Sequence, residues 1–342
     1  MGALRILHLD VSERASLPES PLDWLRGLGG PALVRVPGHD GSRCRVVSTL
    51  LHGNEPSGVL AVHAWLRTAA PPAVDTFFFL GAVEAALAEP AFGHRFLPGR
   101  RDLNRCFRPP FADREGELAG ELLERLRKAS PEALVDVHNN TGHNPPYGVG
   151  PRAGAAELNL VALFGRRYVH SHLHLGAVIE ATAEEFPSVT VECGRAGDPA
   201  ADAVALDGLA AFLDRERLEH ERLEGEPLEI FRDPIRVSLR PGLRLAFGRA
   251  PAHGADLTVS GDVDRHNFDP LPPGAPIGWV GAGGAWPLRA LATDGADRSR
   301  ELFETRGDVL QTRRSIVPIM MTTNPDVAVA DCLFYVVRPA AE

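Results

Sequence analysis

The sequence predicts an α/β protein with a mixed β-sheet flanked by helices and a smaller β-rich domain at its C-terminal end. Apolar β-branched and aromatic runs alternate with helical segments over residues 44–223. After residue 225, short strand-like runs alternate with turn clusters, and little helical periodicity remains. The length of 342 residues suits two domains. We therefore expect domains at 1–225 and 226–342, with residues 1–43 as a peripheral segment of one or two strands.

The central sheet is predicted from strand-like and helical segments that follow one another along the chain. Continuous β-branched and aromatic runs indicate buried strands, and apolar residues at helical spacing indicate helices that cover the sheet. Pro56 suits the first turn of a helix. The predicted strands are 44–51, 76–83, 133–139, 176–182 and 188–194, and the predicted helices are 56–70, 115–129 and 200–223.

Composition and charge exclude several classes of partner. The formal net charge is −9, and the arginines are scattered through both halves of the chain, which argues against a nucleic-acid partner. Charges and prolines interrupt the N-terminal residues before an apolar signal core could form, so no export signal is expected. An apolar run of about 18 residues is absent, so no membrane span is expected. The four cysteines lie far apart in the sequence, which predicts reduced thiols and a cytoplasmic location. The sequence leaves a homo-oligomer open.

Polar residues follow the predicted strands at the points where these strands end. His52 and Glu55 come directly after strand 44–51, and His138 and Glu192 lie near the ends of strands 133–139 and 188–194. In open α/β sheets, functional groups gather beyond the carboxyl ends of the strands. We therefore expect these four side chains to share one edge of the sheet.

Three of these side chains match the ligand set of a catalytic zinc ion. Such an ion takes about three protein ligands, commonly histidines with a carboxylate, and leaves one position for water. His52, Glu55 and His138 supply this set, which predicts one Zn²⁺ per chain. Gly53 and Gly58 are predicted to let the backbone turn in the loop that carries His52 and Glu55.

Further residues are typical of amide hydrolysis beside such an ion. Glu192 is flanked by apolar strand residues, which predicts a raised pKa and a role in moving protons. In the stretch GRRDLNRCF (99–107), Asn104 and Arg105 offer an amide and a guanidinium fork that can hold a carboxylate. Asp102 is placed to accept a proton from the far nitrogen of a ligating histidine.

Four motifs together resemble the succinylglutamate desuccinylase/aspartoacylase family, whose members are relatives of the zinc carboxypeptidases. The motifs are HGNE (52–55), DLNR (102–105), DVHNN (136–140) and VECG (191–194), which occur in the order found in that family. The resemblance covers residue 44 to the end and is weakest after residue 226. It implies a carboxypeptidase-like catalytic domain and a C-terminal domain that narrows the cleft. It also implies a zinc-dependent deacylase that cleaves the amide bond of a small N-acyl amino acid.

The resemblance also implies roles for individual residues. His52, Glu55 and His138 correspond to the metal ligands, and Glu192 corresponds to the general base and acid. Asp102 corresponds to the partner of the first histidine. The remaining assignments concern binding of the substrate and fall on Asn104, Arg105 and Asn139.

The chain departs from the family pattern at two arginine positions. The arginine that stabilises the oxyanion is replaced by Leu97, and Arg95, Arg100 and Arg101 are the alternatives. Arg95 is favoured because an aromatic residue follows it, as in the family. The arginine with which aspartoacylases recognise an acidic side chain is replaced by Thr182, which argues against acetylaspartate as the substrate.

Two other functions and one further site stay open at the level of sequence. A metallocarboxypeptidase or peptide amidase would act on short peptides at the same centre. A non-catalytic zinc-binding or ligand-binding protein would have no need of Glu192 as a proton carrier. His170, His172 and His174 would share one face of a strand, a spacing that can hold a second metal ion or can simply be exposed.

Overall fold

The computed structural model describes residues 4–219, 228–281, 285–330 and 332–339. The chain forms two compact units. The first comprises Met1–Asn139, Pro146–Tyr168 and His174–Leu228, and the second comprises Asn140–Pro145, Val169–Leu173 and Glu229–Glu342.

The first unit is built from strands and helices that alternate along the chain. Its strands are β1 (Arg5–His8), β2 (Ala32–Val36), β3 (Asp40–Thr49), β4 (Val74–Leu80), β5 (Leu134–Asn140), β6 (Tyr147–Gly150), β7 (Arg167–His170) and β8 (Ser188–Arg195). The last residue of β5 and the last two residues of β7 belong to the second unit. Its helices are α1 (Val11–Ala15), α2 (Pro21–Leu28), α3 (Ser57–Arg67), α4 (Val83–Leu87), α5 (Arg114–Ala129), α6 (Ala155–Val161), α7 (Val178–Thr182) and α8 (Pro199–Asp214).

These strands form a mixed sheet in the order β1-β2-β4-β3-β5-β8-β6-β7. Strand β3 pairs in parallel with both β4 and β5, whereas β2 pairs antiparallel with β4 and β6 pairs antiparallel with β8. The carboxyl ends of β3, β4 and β5 therefore meet at one edge. The predicted mixed sheet flanked by helices is confirmed.

Helix α5 shows how the sequence builds the core beside this sheet. Its buried residues recur at helical spacing, and Asp113 caps its first turn by accepting a hydrogen bond of 2.8 Å from the Gly116 N–H. Leu122 and Leu126 of this helix belong to a buried cluster with Leu134 of β5. Burial of a leucine side chain stabilises the fold by about 1.5–3 kcal/mol.

The N-terminal segment contributes β1 and β2 to one side of the sheet, and it adds the short helices α1 and α2. Arg14 of α1 is buried, and its guanidinium donates to the carbonyls of Leu66 at 3.1 Å and Ala70 at 2.9 Å. It also lies 4.6 Å from the centre of the Trp65 ring. A buried cation thus satisfies carbonyls at the C-terminal end of α3, where the helix dipole favours positive charge.

The second unit is β-rich, as predicted. Its elements are β9 (Glu229–Leu239), β10 (Leu245–Gly248), β11 (Leu257–Ser260), β12 (Pro276–Val280), β13 (Leu288–Leu291), α9 (Ser299–Leu302), β14 (Phe303–Arg306), β15 (Val309–Thr312), β16 (Val317–Ile319), α10 (Pro325–Ala330) and β17 (Phe334–Pro339). Strands β13 and β17 pair antiparallel with β9, and β16 pairs antiparallel with β17. A separate five-stranded sheet has the order β10-β11-β12-β15-β14. No helix in the described part of the chain is long and apolar enough to span a bilayer.

The prediction of a strand at 176–182 is wrong, because Val178–Thr182 forms helix α7. The β-branched residues of this stretch favour a strand, but side chains satisfy its backbone donors. Asn104 accepts from the Val178 N–H at 3.2 Å, and Glu180 accepts from the Gly176 N–H at 2.8 Å. The predicted helix at 200–223 is α8, which ends at Asp214, and residues 220–223 lie outside the described residues.

Candidate functional site

The loop between β3 and α3 begins with a strained residue. Leu50 has a φ of 53° and is almost completely buried. A left-handed conformation costs a residue with a Cβ roughly 1–2 kcal/mol. The backbone is held there by hydrogen bonds from Gly81 N–H to Thr49 O at 3.2 Å and from Ala82 N–H to Leu50 O at 2.5 Å. This turn directs the following residues, which include His52, towards the carboxyl edge of the sheet.

The predicted reason for Gly53 and Gly58 needs correction. Neither glycine has a positive φ, so neither supplies the turn. A Cβ on Gly53 would lie 2.6 Å from the Ala86 nitrogen, and a Cβ on Gly58 would overlap Thr49 Oγ1. Both positions therefore require glycine, because other parts of the unit pack directly against the backbone there.

The fold brings His52, Glu55 and His138 together. The Nδ1 atom of His52 lies 2.8 Å from Glu55 Oε1, and the Nδ1 atom of His138 lies 2.7 Å from Glu55 Oε2. The three side chains are buried, and one ligand atom from each lies within 4.8 Å of the others. Both imidazoles thus present the same nitrogen to one carboxylate.

The opposite nitrogen of each imidazole contacts a second carboxylate. His52 Nε2 lies 3.0 Å from Asp102 Oδ1, and His138 Nε2 lies 2.7 Å from Asp136 Oδ2. Asp102 was predicted for this position, but Asp136 was missed. Its signal was present in DVHNN, because residues two apart on a strand share a face, and Asp136 precedes His138 by two.

Burial and neighbouring charges act against each other in this cluster. Burial alone would raise the pKa of Glu55, but His52 and His138 outweigh it and hold that pKa well below the ordinary range. Burial also opposes ionisation of Asp102, yet His52 and then Arg95 keep its pKa low. For His138, burial lowers the pKa, but Asp136 and Glu55 raise it well above normal. The cluster therefore favours ionised carboxylates.

The donor set suits a divalent cation. A carboxylate only accepts hydrogen bonds, so an outer carboxylate holds the proton on Nε2 and leaves the lone pair of Nδ1 directed at Glu55. A lone pair and a carboxylate repel each other unless a proton or a cation lies between them. The Nδ1 atoms of His52 and His138 together with Glu55 form the nitrogen and oxygen set that zinc prefers.

Glu192 lies near the carboxyl end of β8, where it pairs across the strands with Tyr147 of β6. The side chain is buried. Burial raises its pKa to about 8, and the charges of Glu55 and Asp136 act in the same direction, while His138 opposes them. The shift has the sign predicted from the apolar neighbours of Glu192 and brings a carboxyl group close to the pKa that proton transfer near neutral pH requires.

Among the three alternative arginines, Arg95 contacts the His–Glu–His cluster. Its Nε and Nη2 atoms donate to Asp102 Oδ2 at 3.0 and 2.9 Å, and its Nη1 lies 3.6 Å from Glu55 Oε1. Arg100 instead pairs with Glu115 at 2.9 Å, and Arg101 pairs with Asp113 at 3.0 Å. The guanidinium of Arg95 is therefore the one held at the cluster.

Asn104 and Arg105 follow Asp102 in a short 3₁₀ turn. The Oδ1 atom of Asn104 accepts from the Val178 N–H at 3.2 Å, and the amide nitrogen carries two N–H donors. Arg105 is partly exposed, and its Nη1 donates to the Asn104 carbonyl at 3.0 Å. Both residues therefore present donors, which is what binding of a carboxylate requires.

The side chain of Asn139 is engaged within the protein. Its Oδ1 accepts from the Ser57 N–H at 2.9 Å, and its Nδ2 donates to Ser57 Oγ at 2.8 Å and to Gly194 O at 3.2 Å. These contacts use both amide hydrogens. They favour a positioning role over the predicted contact with substrate.

Thr182 is buried and forms hydrogen bonds within the first unit. The Thr182 hydroxyl donates to Val178 O at 3.0 Å and also lies 2.8 Å from Ser188 Oγ in the core.

The three histidines at 170, 172 and 174 do not lie on one strand, because β7 ends at His170. His172 and His174 therefore do not continue the alternation of side chains between the two faces of β7. The Arg232 guanidinium donates to His170 Nδ1 at 2.9 Å and occupies that lone pair. Among the described residues, only His52, Glu55 and His138 have the geometry of a metal site.

Comparisons with known proteins agree with this geometry. Residues 45–214 match the profile of the succinylglutamate desuccinylase/aspartoacylase catalytic domain. Among curated proteins, none matches the sequence significantly.

Solved structures show the same fold at low sequence identity. Succinylglutamate desuccinylase from Vibrio parahaemolyticus is 15% identical with a TM-score of 0.61, and the match covers 95% of this chain and 97% of that one. Murine aminoacylase 3 is 19% identical with a TM-score of 0.54, covering 89% and 97%. The ectoine utilization protein EutE (DoeB) from Ruegeria pomeroyi is 18% identical with a TM-score of 0.58, covering 89% and 88%.

The family profile spans every residue of the His–Glu–His cluster and the segments that carry Asp102, Asp136 and Glu192. Family and fold together support a hydrolase of the deacylase type. Residues 45–214 therefore form a catalytic domain of the succinylglutamate desuccinylase/aspartoacylase family.

Proposed function

We propose that the protein is a zinc-dependent amidohydrolase that releases the amino acid from a small N-acyl amino acid. The observation that carries this proposal is the arrangement in which His52 and His138 both direct Nδ1 at the Glu55 carboxylate. Such a set of ligands suits one zinc ion per chain. The family profile supports hydrolysis of a linear amide as the reaction.

His52, Glu55 and His138 would hold the ion, and Asp102 and Asp136 would fix the tautomer of the two imidazoles. Zinc bound by these ligands would supply Lewis acidity towards a carbonyl group and lower the pKa of water. The outer carboxylates also make the imidazoles more basic, which strengthens them as ligands.

Glu192 would move the protons of the reaction. It would take a proton from the attacking water and deliver it to the departing amine nitrogen, as a general base and then a general acid. Its burial and its raised pKa of about 8 support this assignment. A carboxyl group with a pKa near neutral pH can both accept and release a proton during a turnover.

Arg95 would stabilise negative charge that develops on the carbonyl oxygen. Asp102 holds the guanidinium through two nitrogens, and the third lies 3.6 Å from Glu55. A donor fixed before the reaction stabilises the transition state without reorganising.

Asn104 and Arg105 would bind the carboxylate of the substrate. The amide N–H groups of Asn104 and the partly exposed guanidinium of Arg105 provide the donors. For Asn139 we propose a positioning role. A cytoplasmic location remains a prediction from the sequence, which leaves a homo-oligomer open.

The test is metal analysis combined with amine release. The purified protein and its His138→Ala variant are assayed for bound zinc and for turnover of a panel of N-acyl amino acids, dipeptides and longer peptides. We expect about one zinc per chain, dependence on His138, and activity on N-acyl amino acids. Preference for peptides would indicate a carboxypeptidase or peptide amidase. Zinc without turnover would indicate a binding protein, and full activity without metal would contradict the proposal.

A further inference from the structure

Helix α3 starts without a cap from its own sequence. Its N-cap residue is Pro56, whose side chain makes no capping hydrogen bond. The first N–H group of the helix, on Ser57, is satisfied instead by Oδ1 of Asn139 at 2.9 Å. Asn139 lies on β5, so the start of α3 is tied directly to the strand that carries His138.

The Ser57 hydroxyl completes this connection. It accepts from Asn139 Nδ2 at 2.8 Å and donates to Oδ1 of Asp202 at 2.5 Å. Ser57 is fully buried, and Asp202 lies in the first turn of α8. A hydroxyl that both donates and accepts leaves neither partner free to rotate away. The amide of Asn139 is therefore held in one orientation, with its remaining hydrogen on Gly194 O at 3.2 Å.

The connection ends at the Glu55 carboxylate. The backbone N–H of Asn139 donates to Glu55 Oε2 at 3.3 Å, the same oxygen that His138 Nδ1 contacts. Glu55 is also only two residues before Ser57 in the chain. The Glu55 carboxylate is thus fixed in two ways. Its own backbone leads directly to Ser57, and its Oε2 atom accepts from Asn139 on the strand that Ser57 contacts.

We propose that Ser57, Asn139 and Asp202 act as positioning residues that hold Glu55 in place as a ligand. This inference rests on the proposed zinc site. Without the Ser57 hydroxyl, the Asn139 amide loses one fixed partner and Asp202 loses its donor, so the strand end and the Glu55 carboxylate gain freedom. A ligand that must be ordered on binding reduces affinity for the ion.

The experiment compares zinc affinity, by competition with a chromophoric chelator, in Ser57→Ala, Ser57→Thr and the parent protein. Ser188→Ala is the matched control, because Ser188 is equally buried and its hydroxyl also contacts two groups, Thr182 and Phe186 O, away from the ligands. Thermal unfolding is measured for each variant without metal. Asp202→Ala is a second variant, which removes the acceptor of the Ser57 hydroxyl and keeps the buried serine.

We expect Ser57→Ala to weaken zinc binding by about 10–100-fold, the range typical of groups that orient ligands. Asp202→Ala should act in the same direction, and Ser57→Thr, which keeps the hydroxyl, should stay close to the parent. In the Co²⁺-substituted protein, the visible absorption bands should shift in Ser57→Ala and not in Ser188→Ala.

Two outcomes would overturn this inference. If Ser57→Ala and Asp202→Ala lose thermal stability as Ser188→Ala does but bind zinc as the parent does, the network only supports the fold, and the proposed function stands. If the parent protein itself fails to compete for zinc, the proposed function and the positioning role fall together.

Discussion

His138 Nε2 lies 2.7 Å from Oδ2 of Asp136, the residue two positions earlier on β5. The strand therefore carries on one face the proposed metal ligand His138 and the carboxylate that orients it. Both side chains are buried, with Asp136 completely so. The contact keeps the proton on Nε2 and turns Nδ1 towards Glu55.

Asp136→Asn should weaken zinc binding by about 10–100-fold, because a neutral amide can present its N–H groups to Nε2 and favour the wrong tautomer. Affinity is measured by chelator competition. Asp75→Asn serves as the control, since Asp75 is a buried aspartate that pairs with Arg35 instead of a histidine. Equal zinc affinity in both variants would contradict the orienting role.

Glu192→Gln should retain zinc and lose turnover by about 100-fold or more, because the amide has nearly the same size but cannot carry a proton. Bound metal and the turnover number are measured on the same preparation. Glu157→Gln, which changes another buried glutamate on α6, should stay near the parent. Near-normal turnover in Glu192→Gln would remove its assigned role.

Glu192 should also make the stability of the metal-free protein depend on pH. Its pKa is about 8 in the folded state against an ordinary value of 4.5. Between these values, the folded state keeps a proton that the unfolded state has released, so the free energy of unfolding falls as the pH rises. Relative to Glu192→Gln, we expect the parent to lose stability from about pH 4.5 to about pH 8 and to level off above that. Urea unfolding in a chelator measures this difference, and parallel curves would argue against the shift.

Arg105→Ala should weaken substrates that bear a free carboxylate far more than the corresponding amides. Arg105→Lys keeps the charge but loses the planar fork, and it should fall between the alanine variant and the parent. The ratio of kcat/KM for each acid and its amide measures the effect. Equal losses for acid and amide would show that Arg105 does not bind the carboxylate.

Gly58→Ala should destabilise the protein by about 1–3 kcal/mol, because the added Cβ overlaps Thr49 and forces α3 away from β3. Gly27→Ala in α2 is the matched control. Its added Cβ meets no atom within 4 Å, so it should stabilise by up to about 1 kcal/mol through helix propensity. Chemical denaturation of both variants gives the comparison, and a neutral Gly58→Ala would contradict the packing argument.

The mixed sheet could be predicted because its strands are continuous apolar runs. Such a run indicates from the local sequence alone that a segment is a strand and that it is buried. The observed β3, β5 and β8 lie within a few residues of the predicted 44–51, 133–139 and 188–194. Helix α7 could not be predicted in this way. Asn104, which accepts its first N–H, is distant in the sequence, so a tertiary contact overrides the β-branched composition.

The convergence of His52, Glu55 and His138 could be inferred from the rule that polar residues gather at the carboxyl ends of strands. Asp136 was also within reach, since it shares a strand face with His138. The contact between Ser57 and Asp202 was not, because 145 positions separate them and neither stands in a recognisable motif. Such pairs are set by how α3 packs beside α8.

The amide of Asn104 has a structural contact as well as its proposed role in binding, since its oxygen accepts from the Val178 N–H at the start of α7. Replacing Asn104 in a search for new specificity would remove this hydrogen bond and unwind the turn around Val178. Any contact between Asn104 and a ligand would be lost at the same time. Retargeting the proposed substrate site by directed evolution should therefore keep position 104 fixed.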